Sequence, residues 1–118
     1  MKSGSLDTLL CNKHGFASQC TCCDTIHLGF GNFLVTVANL DLSNFSKKMR
    51  YNLSKRSAES DNPKLRNIVI PTPTKAVSLL FCLDELAQFV DFLEQVQSKL
   101  VIKKLLNESF NPAFTTLN

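Results

Sequence analysis

The chain has no tryptophan and a single tyrosine, against nine phenylalanines. Its aromatic side chains therefore almost all lack a polar handle, which suits a plain hydrocarbon core. No apolar run approaches the roughly 18 residues of a membrane-crossing helix. Residues 1–10 hold one lysine and no apolar segment of signal-peptide length. These two absences predict a cytoplasmic protein with no membrane association. With four glycines in all there is no Gly-rich phosphate loop, and neither a nucleophilic serine motif nor a pair of carboxylates suggests a cleft. The expectation is that the protein is not an enzyme. Matches to the Asn-x-Ser pattern at Asn44, Asn52 and Asn107 carry little weight without secretion.

What is present points to an ordinary folded domain. Hydrophobic residues make up 44% and charged residues 19% of 118 positions, enough for a real core without disulfides. We expect one domain over 1–118, with 1–10 and 108–118 poorly ordered.

Cysteine is the residue type with an uneven distribution. Four of the five cysteines and both histidines fall within Cys11–His27. An odd cysteine count without a secretory signal argues for reduced thiols. Cys11-x2-His14 and Cys20-x2-Cys23 each have the spacing that turns two ligands toward one ion, and zinc takes four such N and S ligands tetrahedrally. The candidate metal ligands are thus Cys11, His14, Cys20 and Cys23, with Cys22 or His27 as alternates. A closed set of four would make a structural zinc site. Only five residues separate the two pairs, fewer than in zinc fingers and ribbons. Unliganded thiols are the competing reading, since cysteine is often simply buried, as Cys82 beside a strand should be. Redox chemistry at Cys20-x2-Cys23 fits less well, because the motif precedes a strand rather than opening a helix.

Residues 25–37, TIHLGFGNFLVTV, alternate apolar and polar. With Gly31-Asn32 as a two-residue turn, Ile26 faces Val37, Leu28 faces Val35 and Phe30 faces Phe33, all on one side of a hairpin. His27 then lies opposite Thr36 on the other side. Leu42, Phe45, Met49 and Leu53 follow at helical spacing, with Asn39 or Asp41 as N-cap. Residues 54–64 read as a loop. RNIVIP and AVSLLF read as two strands around a turn at 72–74. Leu86, Phe89, Leu93, Val96 and Leu100 then mark a long helix, with Asp84 and Glu85 at its positive end. At about 26 residues it would reach nearly 40 Å. Either its distal residues Val101, Ile102, Leu105 and Leu106 pack on a second subunit, giving a homodimer through the 83–106 helix, or the helix breaks earlier or packs on the protein's own N-terminus.

FLVTVANLDLSNF and VSLLFCLDELAQF each run from a strand through Leu-Asp into a helix. A duplicated ββα unit and coincidence both fit that echo. The fold class expected is α+β: an antiparallel sheet of four or five strands with two helices on one face.

The net charge of +3 is too mild to argue for nucleic acid. Between Lys47 and Arg66, however, seven basic residues stand against Glu59 and Asp61, a local excess of five. That segment is either a solvated helix face with a linker or a surface for nucleic acid or another anionic partner.

The run C-x2-C, IHLGFGNFLVTV, a Phe-bearing helix, IPTP, a strand and a Leu-rich helix resembles a family of small uncharacterised bacterial proteins. The resemblance spans most of residues 11–106 and implies a bacterial cytoplasmic protein of unknown role. Cys22 and the tail from residue 107 depart from the pattern.

Overall fold

The computed structural model describes residues 6–58, 62–72 and 76–109, with 108 and 109 by backbone alone. Its elements are β1 (Leu6–Asn12), β2 (Gly15–Cys20), β3 (Thr25–Phe30), β4 (Phe33–Ala38), a 3-10 turn (Asn39–Asp41), α1 (Leu42–Ser57), β5 (Ile68–Pro71), β6 (Ser78–Phe81) and α2 (Leu83–Ser109). The class is α+β, as expected. The strands divide differently, into a four-stranded antiparallel meander β1-β2-β3-β4 and a separate two-stranded sheet β5-β6. Two compact units result: residues 1–42 with 94–118, and residues 43–93. Leu6–Leu10, where poor order was predicted, form most of β1, and helix α2 includes residues 108 and 109. Residues 1–5, 110–118, the centre of the 72–74 turn, and Glu59 and Asp61 lie outside the described residues.

In the first unit the β3–β4 hairpin has the anticipated register, Ile26↔Val37, His27↔Thr36, Leu28↔Val35 and Phe30↔Phe33. Gly31 takes φ +61 while Asn32 does not go positive, the pattern of a turn with glycine in its first central position. Ile26 and Leu28 are fully buried, each contributing about 2 kcal/mol. The neighbouring pairs put Ala17 opposite Leu28 and Gln19 opposite Ile26 on that same face.

Strand β1 joins through a bulge between Thr8 and Leu10. Strict alternation would send Leu9 and Leu10 to opposite faces. The extra residue lets Leu9 be buried and Leu10 half-buried while Asp7 stays opposite Gln19. That acidic–amide pair anchors the distal half of α2, because Lys103 Nζ donates to Asp7 Oδ2 and to Gln19 Oε1, each at 2.7 Å. On the opposite face, the Phe16 ring lies across Gly29, where any Cβ would meet it at 2.3 Å.

In the second unit Ile68↔Phe81 and Ile70↔Leu79 bury their side chains, while Val69 and Leu80 point outward. Phe89 of α2 organises the core, stacked on Phe81 at 5.4 Å and edge-on to Phe45 at 6.1 Å. Leu86, Phe89 and Leu93 of this unit are fully buried, as is Val96 of the first, four of the five positions in the predicted stripe of α2. Cys82 is buried as expected and begins the helix: its sulfur accepts the Glu85 N–H at 3.5 Å, and Glu85 Oε1 accepts the Cys82 N–H at 3.0 Å. This is a reciprocal capping box with a thiol in place of a hydroxyl. Among the described residues no helix is long and apolar enough to cross a membrane.

Candidate metal centre

The β2–β3 connection is four residues, Thr21–Asp24, between Cys20 at the end of β2 and Thr25 at the start of β3. Cys20 pairs with Thr25, so the chain must reverse within that span. It does so with Asp24 in the left-handed region at φ 55, a conformation aspartate tolerates better than most residues. Asn39 holds it there. Its backbone N–H donates to the Asp24 carbonyl at 2.9 Å and its side-chain Nδ2 to Asp24 Oδ1 at 3.0 Å. Of the two N-cap candidates, Asn39 is therefore a brace on this turn, while Asp41 directly precedes α1; the 3-10 turn that Asn39 opens is capped by Ala38 with no side-chain bond.

The reversal gathers three sulfurs. Cys20 Sγ lies 3.5 Å from Cys22 Sγ, which lies 3.6 Å from Cys23 Sγ, and all three fall within 4.8 Å of one another. Tetrahedral zinc with Zn–S bonds of about 2.3 Å requires S···S edges of about 3.8 Å. The two short edges are close to that value, so little movement would seat an ion on the triad. Cys20 is buried, while Cys22 and Cys23 are exposed.

The thiols are already unequal. The Cys23 backbone N–H, followed by the Cys22 and Cys23 thiols, donates toward the Cys20 sulfur and holds Cys20 below the ordinary thiol value. Cys23, whose proton is engaged by Cys20 and Cys22 and which sits beside both as they ionise, is pushed up to about 11. The buried sulfur is the one best prepared as a thiolate, the form in which cysteine binds metal.

The other predicted ligands are placed elsewhere. Cys11 pairs with Phe16, four residues along β2 from Cys20, a separation on the order of 13 Å at about 3.3 Å per residue. His14 belongs to the same far end, half-buried and stacked on Phe30 at a centroid distance of 6.1 Å. Its turn is closed by Asn12 Oδ1, which accepts the His14 and Gly15 N–H groups at 2.9 and 3.3 Å. The set Cys11–His14–Cys20–Cys23 is thus not assembled, because a whole strand intervenes between its two pairs. His27 shares the Cys20 face of the sheet, yet its Nδ1 is bonded to Thr36 Oγ1 at 3.0 Å and it is not gathered into the triad. Cys22, an alternate on spacing alone, is the residue that links the other two sulfurs. The sequence signal for it was the short loop between two strands, which leaves three near-adjacent cysteines little room to diverge.

A cavity of about 580 Å³ adjoins the turn, lined by Gln19, Thr21, Asp24 and Asn39 and by α2 residues from Leu100 to Asn107. No cysteine lines it.

The structure thus defines a class: an α+β protein with a three-thiol turn at one end of a four-stranded meander, able to hold a metal ion. The chain belongs to a family of unknown function, DUF6686, whose model matches residues 1–114. The resemblance to an uncharacterised family, read from the hairpin and the flanking helices, agrees with that membership. No curated protein and no solved structure matches the chain.

Proposed function

We propose that this is a non-enzymatic protein that works through protein contacts and carries a thiophilic metal ion, zinc in our reading, on Cys20, Cys22 and Cys23. The observation that carries the reading is the convergence of three free sulfurs within 4.8 Å on a braced four-residue turn. Three soft donors suit zinc or another thiophilic ion and disfavour magnesium or calcium, which take oxygen. All five cysteines are free thiols, which fits a reducing, cytoplasmic setting.

The contacts we assign to a second copy of the chain are made through α2, where Val101, Ile102, Leu105 and Leu106 are each more than half exposed. They lie at helical spacings that form one stripe, and such a stripe on a twofold axis meets its own copy. The alternative, an anionic partner on residues 47–66, is weakened by the ion pairs in that segment. Arg66 Nη2 lies 2.6 Å from Glu85 Oε2, and Lys64 Nζ lies 3.3 Å from Asp84 Oδ2.

The test is metal analysis of protein purified without chelator, with thiol titration before and after denaturation. One zinc per chain is the expected result, with the exposed Cys22 and Cys23 protected until denaturation along with the buried Cys20 and Cys82. Freely reactive thiols and no metal after reconstitution would end the proposal. Sedimentation velocity tests the contact: Leu105→Glu should convert dimer to monomer, and a wild-type chain that stays monomeric would exclude it.

A further inference from the structure

We infer that the Cys20–Cys22–Cys23 centre is an open one: the chain gives its ion three thiolates, and the fourth position takes a thiolate from outside the turn. The inference rests on the metal reading above and concerns what completes the coordination. Among the described residues no histidine, cysteine, aspartate or glutamate other than the three cysteines brings a ligand atom into the group. Those nearest in sequence make other contacts. The Asp24 carboxylate accepts from Asn39, and His27 is bonded to Thr36. Cys11 and His14 sit at the far end of the β1–β2 hairpin. Cys22 and Cys23 are exposed, so the triad is open to a donor from solvent. Closed four-ligand sites are structural, whereas three-ligand sites keep a position for exchange. An ion that has accepted three sulfurs prefers a fourth soft donor. That thiolate comes either from a small thiol or from a cysteine of a second copy; on binding it loses its proton to solvent, and no electrons are transferred.

The experiment uses the full chain loaded anaerobically with one equivalent of Co²⁺, whose visible bands report geometry and whose near-ultraviolet charge transfer reports thiolate number. Titration with 2-mercaptoethanol should shift the visible bands and raise the charge-transfer intensity in the proportion of four thiolates to three, saturating at one thiol per metal. If a second copy supplies the donor, the loaded protein shows the four-thiolate spectrum from the start, sediments as a dimer, and loses that intensity on dilution to monomer. Either result supports the open centre. A three-thiolate spectrum that ignores added thiol, in monomer or α2 dimer, overturns it while leaving the metal reading intact, and loss of intensity in Cys11→Ser, His14→Ala or His27→Ala would name the internal fourth ligand. Failure to bind Co²⁺ at all overturns both.

Discussion

At one end of the meander, Asn12 folds its side chain over Lys13 and His14 and satisfies two backbone N–H groups. At the other end, the Cys20 sulfur accepts the Cys23 N–H and the Asp24 carboxylate accepts from Asn39, while three sulfurs converge. Both turns reverse the chain between antiparallel strands, and both carry residues that bind metals elsewhere. They differ in what stabilises the reversal. The first uses its own asparagine side chain and a stacking contact of His14 on Phe30, so its histidine is consumed by structure. The second is braced from outside as well, by Asn39 on Asp24, and its exposed Cys22 and Cys23 remain available for chemistry. A turn can display ligands when something else closes it.

The largest expected contrast is in metal affinity. Cys20→Ser, Cys22→Ser and Cys23→Ser should each weaken zinc binding by more than the roughly 100-fold that loss of a mere outer partner can cost. Cys11→Ser and His14→Ala should leave it unchanged, as competition against a chromophoric chelator would show. Loss of zinc in Cys11→Ser would erase the distinction between the two ends.

A smaller effect follows from proton linkage. Metal binding needs thiolates, and Cys23 holds its proton up to about 11 while Cys20 releases its own more readily than usual. Across neutral pH, binding must therefore expel at least the Cys23 proton, so apparent affinity rises with pH, about tenfold per unit for each proton released. Cys23→Ser should reduce the slope of log affinity against pH by about one. An unchanged slope would show that Cys23 is not a ligand.

The braces can be compared directly. Asn12→Ala and Asn39→Ala each remove side-chain hydrogen bonds at an exposed turn and should each cost about 1 kcal/mol in denaturant melts. Only Asn39→Ala should also weaken zinc, since it frees Asp24 to leave the left-handed region. Equal metal affinity in the two variants would mean that the triad needs no brace.

The second of these turns was partly legible in the sequence and the first was misread. Local composition put Cys20, Cys22 and Cys23 together, because three residues in a four-residue span cannot separate far. Joining them to Cys11 and His14 required a register that spacing does not supply. Asn12 and Gly15 are turn residues, and reading 12–15 as a hairpin turn would have placed strand β2 between the two pairs. The bulge hid β1 by breaking the alternation of LDTLLCN, and with it the partner that marks β2. By contrast, the β3–β4 register was legible to the residue, because an unbroken period of two and a Gly-Asn turn leave one solution. The split into two sheets was not, since alternation identifies strands without naming their neighbours.

Cys82 supplies a third cysteine environment and the smallest predicted effect. Its sulfur accepts a helix N–H, as a serine oxygen would, and Glu85 returns the bond. Serine is the better capping residue but buries a more polar group, so Cys82→Ser should change stability by less than about 1 kcal/mol, whereas Cys82→Ala should cost about that much. Neither should alter zinc binding. The cap also has an acid signature of its own. The Arg66 guanidinium, bonded to both Glu85 oxygens at 2.6 to 3.1 Å, holds that carboxyl below the usual range. A depressed carboxyl stabilises the fold above its unfolded pKa, and this contribution is lost as the pH falls through the folded one. The pair is partly exposed, so the term is about 1 kcal/mol or less. Cys82→Ser should retain that acid loss, since Arg66 and Glu85 remain, and Glu85→Gln should abolish it. If Cys82→Ser flattened the acid limb instead, the thiol itself would be setting the charge of Glu85, and the buried cysteine would be electrostatically active like those of the turn.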